Sequence, residues 1–236
     1  MAKRGKNYLA ASPENRSGQR TPEEAVSIAK EGSYAKFDET VELHLLTSAD
    51  PRQADQQLRE VTSLPHGTGR QTRVLAFVDG EVATAALEAG ADMIADDDIV
   101  KRIENGWSEF EVAIATPDQM GKIGRLGRYL GRKGLMPNPR TGTVVQPQDI
   151  GKAIDESKKG RIELRMDSTG IIHTIIGKVS FEEKQLMENL STVVNAITQA
   201  KPEGVKGQFI KSATLSTTMG PGLKLDLSSL LQVEIE

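Results

Sequence analysis

A stretch of glycine and basic residues in the middle of the chain has the composition of a phosphate-binding segment. Glycine recurs every three or four residues from Gly121 to Gly134, with arginine and lysine between. Glycine lets a backbone approach an anion closely, and basic side chains neutralise its charge. The Walker A loop does not fit this stretch, because no Ser or Thr follows Lys133. The dinucleotide-binding fingerprint does not fit either, because it should follow the first strand, whereas this stretch follows the third expected strand. A polyanion contact, a solvated basic loop and an enzymatic nucleotide site over 121–134 remain as interpretations.

The charge of this region differs from that of the chain as a whole. The 236 residues include 30 Lys and Arg against 33 Asp and Glu, a formal net charge of −3. That balance argues against a nucleic-acid-binding protein, because such domains are usually basic. From Gln119 to Gln148, however, there is no acidic residue, and six basic residues occur: Lys122, Arg125, Arg128, Arg132, Lys133 and Arg140. This segment could therefore bind a polyanion despite the acidic average.

A second candidate motif joins two expected strands near the end of the sequence. It consists of Ser216, Thr217, Thr218, Met219, Gly220, Pro221 and Gly222. One interpretation is an ordinary turn. The other is an RNA contact, because an exposed methionine can lie flat on a sugar or base while threonine hydroxyls and backbone groups bond to 2′-hydroxyls.

An aromatic residue and two histidines complete the candidates. Phe37 beside Lys36 could be a stacking platform, but that motif alone favours an aromatic anchored in the core. His44 and His173 lie in alternating segments without a carboxylate or second histidine at ligand spacing, which favours structural or surface histidines. The chain has no cysteine, which excludes disulfides and thiolate chemistry. No catalytic residue, metal or cofactor is expected.

The N-terminal flank, which must position some of these residues, has the pattern of a mixed helix and strand segment. Apolar spacing and a Thr-Pro start predict a helix over about 21–32. Alternation predicts a half-buried strand over 41–45. A second helix is expected over 50–58, and the polar residues 1–20 are expected to form a mobile arm.

The C-terminal flank also has a mixed pattern of strands and a helix. Alternating segments at 162–166 and 171–175 predict an antiparallel hairpin. Ser180 and Glu183 have the spacing of a capping box at the start of a helix with an apolar stripe through Ile197. Two further strands are expected over 207–215 and 223–227.

The middle of the chain has a different pattern. Residues 74–78 are a continuous apolar run, which is typical of a strand buried on both faces. Further strands are expected at 92–95 and 112–115, with helices at 82–89, 99–103 and 148–158. Residues 116–119 resemble a capping box with proline at the first helical position. Alternating strands and helices of this length predict a parallel sheet with crossover helices.

This arrangement predicts two domains. A doubly wound domain over 69–159 is inserted into an α+β domain built from 1–68 and 160–236, and two short connections at 65–69 and 158–160 form a hinge. No apolar stretch approaches the length of a bilayer span and no apolar signal core is present, so a cytosolic protein is expected.

Six motifs, taken in order, carry a resemblance to a known family. They are 36–42 (KFDETVE), 64–69 (LPHGTG), 115–118 (ATPD), 134–139 (GLMPNP), 201–204 (KPEG) and 216–221 (STTMGP). Over about residues 2–227, the chain resembles the bacterial ribosomal protein L-one family of the large-subunit stalk. Six ordered matches are far more specific than any one of them.

The resemblance implies an α/β and α+β architecture in two domains. The split two-layer α+β domain would grip large-subunit ribosomal RNA, and the inserted domain would be a Rossmann-like parallel α/β domain. The function would be structural, as a constituent of the large ribosomal subunit at the mobile stalk near the exit site. A nucleotide-binding enzyme using the loop 121–134 is the alternative.

The resemblance also implies an RNA surface. Its residues would be Lys36, Phe37, Thr40, Glu42, Thr217, Thr218, Met219, Gly220 and Pro221, with secondary contacts from Lys122, Arg125, Arg128, Arg132 and Lys133. Lys36 would neutralise phosphate, and Phe37 and Met219 would contact sugar or base. The threonines would bond to 2′-hydroxyls or phosphates, Glu42 would orient basic side chains or accept a sugar hydroxyl, and Gly220 and Pro221 would fix the loop shape.

The partners that the resemblance implies are large-subunit ribosomal RNA, the protein's own operon messenger RNA, whose translation it would repress, and exit-site transfer RNA, whose release it would assist. The protein would be cytoplasmic, on ribosomes, monomeric when off them, and not bound to a membrane. Two features depart from the family. None of the segments 1–68, 69–159 and 160–236 has net positive charge, so binding must depend on local charge, shape and hydroxyl contacts, and the tail 227–236 looks longer than the family's usual ending.

Overall fold

The chain folds into two compact units. A computed structural model describes residues 5–12 and 18–232. The first unit comprises the chain up to Gly69 together with the chain from Ile162 onward, and the second comprises Arg70–Arg161. The boundaries expected from the sequence, at 68/69 and 159/160, lie one and two residues from these. Over the two described ranges, no helix is long and apolar enough to cross a membrane.

The helices and strands have the following bounds. The strands are β1 (Thr40–Thr47), β2 (Arg59–Ser63), β3 (Val74–Phe77), β4 (Met93–Ile94), β5 (Val112–Ala115), β6 (Arg161–Arg165), β7 (Ile171–Lys178), β8 (Ile210–Thr217) and β9 (Leu223–Leu225). The α-helices are α1 (Lys6–Ala10), α2 (Pro22–Glu31), α3 (Glu81–Glu88), α4 (Asp97–Glu104), α5 (Met120–Ile123), α6 (Gly127–Leu130), α7 (Ile150–Lys158), α8 (Glu183–Gln199) and α9 (Leu227–Leu230).

A four-stranded sheet in the order β7-β1-β8-β9 forms the frame of the first unit. Strand β1 pairs antiparallel with both β7 and β8. Its residues alternate, so that Val41, Leu43 and Leu45 are buried in one core with apolar residues of α2 and α8. The intervening residues, Glu42 and His44 among them, point to the opposite face, named here the open face because Leu46 and Ile175 on it are exposed.

The expected helix over 50–58 is wrong. The segment forms a turn, a 3₁₀-helix at Ala54–Gln56, and then β2, which pairs with β6. Asp50 closes the turn, because its carboxylate accepts a hydrogen bond from the backbone N–H of Arg52 at 3.0 Å. Apart from Pro51, the residues from Asp50 to Gln57 include only Ala54 as an apolar side chain, so a helix here would have no apolar stripe to bury.

The expected hairpin of the C-terminal flank is replaced by pairing with more distant strands. Strand β6 pairs with β2, whereas β7 pairs with β1. Only the bridge between Met166 and Ile172 joins the two segments directly. The connecting turn is fixed by Asp167, whose carboxylate accepts hydrogen bonds from the backbone N–H groups of Thr169 and Ile171, each at 2.8 Å.

The start of α8 and the N-terminal arm also differ from expectation. Helix α8 is capped by Glu182 with Gln185, not by Ser180 with Glu183. Ser180 instead donates to the Asp38 carboxylate at 2.8 Å. The expected arm contains α1, and Arg20 forms a bridge with Leu225 of β9. The rest of that arm, at residues 1–4 and 13–17, lies outside the described residues.

The second unit is a three-stranded parallel sheet in the order β4-β3-β5 with helices on both faces. All four residues of β3 are buried. Val74 and Ala76 pack with α3 and α7, and Leu75 and Phe77 pack with α4 and the 120–130 segment. Thr116 precedes a 3₁₀-helix without a side-chain cap, so the expected capping box is absent there. The expected α/β and α+β fold class is confirmed.

Candidate nucleic-acid interface

Two loops of the first unit meet at one end of its main sheet. They are the segments 33–40 and 217–222, named here the loop platform. Thr40 and Thr218 exchange hydrogen bonds: the Thr40 N–H donates to the Thr218 hydroxyl at 2.9 Å, and the Thr218 N–H donates to the Thr40 carbonyl at 3.0 Å. The Tyr34 hydroxyl donates to the Met219 carbonyl at 2.8 Å. The two loops therefore form one surface.

Glu39 lies beneath this surface, with its residue surface 0% exposed. Its carboxylate accepts hydrogen bonds from the Ser33 hydroxyl at 2.9 Å, the Ala35 N–H at 3.1 Å and the Met219 N–H at 3.0 Å. Burial would raise the pKa of Glu39, but these bonds and one from the Thr217 side chain outweigh it and lower the pKa below its ordinary value. A charged carboxylate thus joins the two loops from inside.

Two large apolar side chains of the loop platform face solvent. Phe37 is 55% exposed and Met219 is 48% exposed. The interpretation of Phe37 as a core anchor is therefore wrong. Lys36 is also exposed. Two exposed apolar groups beside an exposed cation on joined loops make this surface a candidate contact for a ligand with both apolar and anionic parts.

Thr217 and Gly220 shape the loop from within. Thr217 is only 5% exposed, and its hydroxyl accepts a hydrogen bond from the Gly220 N–H at 3.1 Å. A Cβ atom at position 220 would collide with the Thr217 hydroxyl, so a larger residue there would have to displace that hydroxyl. Pro221 is half-buried beside it. Thr217 therefore has a positioning role in the loop, whereas Thr218 is exposed.

A histidine pair lies on the open face of the main sheet. His44 of β1 is opposite His173 of β7, and their Nδ1 atoms are 2.8 Å apart. His44 Nε2 is 3.1 Å from the Ser216 hydroxyl and 3.7 Å from Glu42. Burial and the neighbouring His173 lower the pKa of His44, and Glu42 opposes them. The pair could not be predicted from the sequence spacing, because only the register between β1 and β7 places the two histidines opposite each other.

Lys178 is a further cation of this region, and no sequence motif indicated it. Its ammonium donates to the Thr40 hydroxyl at 2.8 Å and to the Asp38 carbonyl at 3.3 Å. The pairing of Thr40 with Lys178 in the β1–β7 register explains the contact. Among the described residues there is no cluster of three or more histidine or carboxylate side chains that could hold a metal ion.

The basic segment of the second unit is helical, not a loop. From Met120 to Lys133 it runs through α5, α6 and two 3₁₀ turns, and it ends at Gly134 in the left-handed conformation. Backbone N–H groups within such turns bond to carbonyl groups, so they cannot cradle a phosphate as a glycine-rich loop does. Lys122 pairs with Asp79 at 3.0 Å.

Comparison with known proteins decides the family. The sequence model of the Ribosomal protein L1p/L10e family matches residues 29–221. The chain belongs to this family. All six motifs that carried the resemblance lie within the matched range, so the expected membership is confirmed.

Relatives in the L1p/L10e family resemble this chain over nearly its whole length. The chain is 53% identical to the large ribosomal subunit protein uL1 of Chloroflexus aggregans over 237 residues, covering 100% of both. It is 53% identical to the uL1 protein of a Dehalococcoides mccartyi strain over 231 residues, covering 98% of both, and 52% identical to that of Thermobifida fusca over 225 residues, covering 95% of both. The tail 227–236 thus falls within the alignment to the Chloroflexus aggregans protein.

Proposed function

We propose that this protein is a structural constituent of the large ribosomal subunit and that it binds ribosomal RNA through the loop platform. Family membership supports the first part, because the relatives carry the name large ribosomal subunit protein. The observation that carries the second part is the exposure of Phe37 and Met219 on two loops joined by Glu39.

The loop platform offers the chemistry that folded RNA requires. Phe37 and Met219 supply apolar contacts for a sugar or base. Lys36 supplies an exposed cation for a phosphate, and Lys178 keeps a second cation beside Thr40. Thr218 and the open-face residue Glu42 offer polar groups to 2′-hydroxyls. Thr217, Gly220 and Pro221 act by holding the loop shape.

Two further functions and an oligomeric state belong to the same proposal. The protein assists the release of deacylated transfer RNA at the exit site, represses translation of its own operon messenger RNA, and is monomeric away from the ribosome. It has no catalytic role and needs no cofactor. Each of these follows from the family resemblance and rests on no separate contact.

The test is capture of cellular RNA by the full chain, followed by sequencing and by filter binding with the enriched fragment. We expect a large-subunit ribosomal fragment to dominate. The salt dependence should be shallow, corresponding to about two to four phosphates, because few cations lie in the loop platform. Recovery of no preferred RNA would contradict the proposal, and a steep salt slope would move the main contact to the basic segment of the second unit.

A further inference from the structure

A cavity in the second unit combines aromatic rings with cations. Its volume is about 330 Å³, and Trp107, Arg128, Tyr129, Arg132 and Lys133 line it. Ligand sites in proteins begin at about this size. The proposed RNA surface of the first unit contains none of these residues.

One aromatic ring of the cavity is exposed, and the other has an unused donor. Tyr129 is 39% exposed. The indole N–H of Trp107 is buried and has no acceptor among the described residues, so its hydrogen-bonding capacity is unused. Arg102 lies over the Trp107 ring at 4.4 Å from its centroid, but Arg102 does not line the cavity.

The cations of the cavity have no balancing carboxylate. Over the described ranges, the guanidinium groups of Arg128 and Arg132 form no hydrogen bond or ion pair. Lys133 donates to the Gly106 carbonyl at 3.3 Å and to the Ser108 hydroxyl, which are neutral groups. No acidic residue lines the cavity. An anion is therefore the ligand that its charge favours.

The arginines continue beyond the cavity along one side of the helical segment. Arg125, Arg128 and Arg132 are three and four residues apart, which places them on one stripe, while Leu126 and Leu130 of the same segment are buried in the core. Arg125 also has no partner within the described part of the chain. Cations repeated at each helical turn match a chain of phosphates better than a single anion.

We infer that this cavity binds one unpaired nucleotide of a single-stranded RNA. The base stacks on Tyr129 beside Trp107, while neighbouring phosphates contact Arg128, Arg132 and Arg125. Stacking on an aromatic side chain accepts any base, so the site selects unpaired RNA and not a particular sequence. This inference adds an aromatic site to the secondary RNA contacts expected from Arg125, Arg128 and Arg132. It can fail while the proposed site of the first unit holds, because its reporter lies in the second unit.

The test uses Trp107 as its own reporter. Trp107 is the only tryptophan of the chain, so its fluorescence reads this cavity and not the loop platform. The full chain is titrated with a hexa-adenylate RNA oligonucleotide, with the same sequence in a duplex, with adenosine monophosphate and with a poly-glutamate peptide. We expect saturable quenching by the single strand at the lowest concentration. Equal quenching by the duplex, the mononucleotide or the peptide would overturn the inference.

Variants assign the binding to named side chains. Tyr129→Ala should weaken binding by about 5- to 150-fold, the range of one stacked base, and Tyr129→Phe should restore it. Arg132→Gln should also weaken binding, whereas the matched control Lys152→Gln, whose side chain is 82% exposed on α7, should not. Leu87→Ala, which removes an exposed apolar side chain from another helix of the second unit, should leave the quenching unchanged. Loss of quenching in Leu87→Ala, or unchanged quenching in Tyr129→Ala, would refute the site.

Discussion

The carboxylate of Glu39 accepts a hydrogen bond at 3.0 Å from the backbone N–H of Met219, which lies 180 residues further along the chain. Both loops of the platform therefore depend on one buried charge. The exposed side chain of Met219 is held in place from its own backbone, so its position is set by Glu39 as much as by the turn that carries it.

Replacing Glu39 by Gln should loosen the loop platform. The amide group keeps one acceptor oxygen but places an NH₂ donor against backbone N–H donors, so at least one buried group loses its partner. We expect the free energy of unfolding to fall by about 1–3 kcal/mol, measured by urea denaturation, and RNA affinity to fall with it. Glu42→Gln, on the open face of the sheet, is the control and should leave stability unchanged. Full stability in Glu39→Gln would remove Glu39 from this role.

Replacing Met219 by Ala should separate binding from folding. The exposed thioether contributes little to the core, so the melting temperature should hardly change, while RNA affinity should fall by about 1–3 kcal/mol in filter binding. Leu87→Ala removes a side chain of similar exposure, 52%, from the second unit and should change neither quantity. A parallel loss of stability in Met219→Ala would show that Met219 packs in the core.

The histidine pair should make stability depend on pH. Because burial and His173 lower the pKa of folded His44 below 6.5, the unfolded chain takes up the proton first. Stability is therefore complete above about pH 6.5 and decreases as the pH falls through the folded pKa. Titration of the histidine ring signals by NMR should place His44 below 6.5, and His173→Gln should raise that value. His66→Gln, which removes a histidine paired with Glu188, should not. A pKa of His44 at or above 6.5 would contradict this account.

Asp167 should contribute to stability in acid. A hydrogen bond from the Ile171 backbone N–H and one from the Thr169 side chain lower the pKa of Asp167 from 3.8 to about 2. The contribution is present above about pH 3.8 and is lost as the pH falls through about 2. Asp167→Asn should raise the midpoint pH of acid unfolding, followed by circular dichroism. Asp98→Asn, with a side chain that is 87% exposed, serves as the comparison. Identical midpoints for the two variants would contradict a stabilising role of the Asp167 carboxylate in its turn.

Deleting the second unit should leave the first unit folded. Every buried residue of the first core comes from outside Arg70–Arg161, and the cores of the second unit come from inside it. Replacing 70–161 by a short Gly/Ser linker should give one cooperative melting transition and retain most affinity for the ribosomal fragment at two salt concentrations. A folded variant that binds this fragment no better than random RNA would move the proposed site to the second unit.

Elements with a clear apolar pattern could be predicted from the sequence. The stripe of α8 and the buried run of β3 each define a period, and both elements lie close to where expected. Pairing over long distances could not be predicted in the same way. Strand β6 has alternating residues whether it pairs with β7 or with β2, and local sequence carries no information on which partner wins.

The candidate site divides in the same manner. Met219 could be named as a candidate contact from its type, whereas Lys36 and Phe37 could be named only through the family resemblance. The structure finds all three exposed. Glu39 was overlooked, because a buried carboxylate has no sequence signal until its donors are known. Trp107 and Tyr129 are 22 residues apart, and only the packing of the helical segment brings them to one cavity.

The central position of β1 sets the order in which the chain can fold during synthesis. Residues 40–47 have no partner in the main sheet until β7 has left the ribosome, and the second partner, β8, ends at Thr217. The second unit ends at Arg161, before either partner strand begins. A nascent chain that has not reached Met219 cannot form the bond to Glu39, so the loop platform is among the last parts of the first unit to assemble.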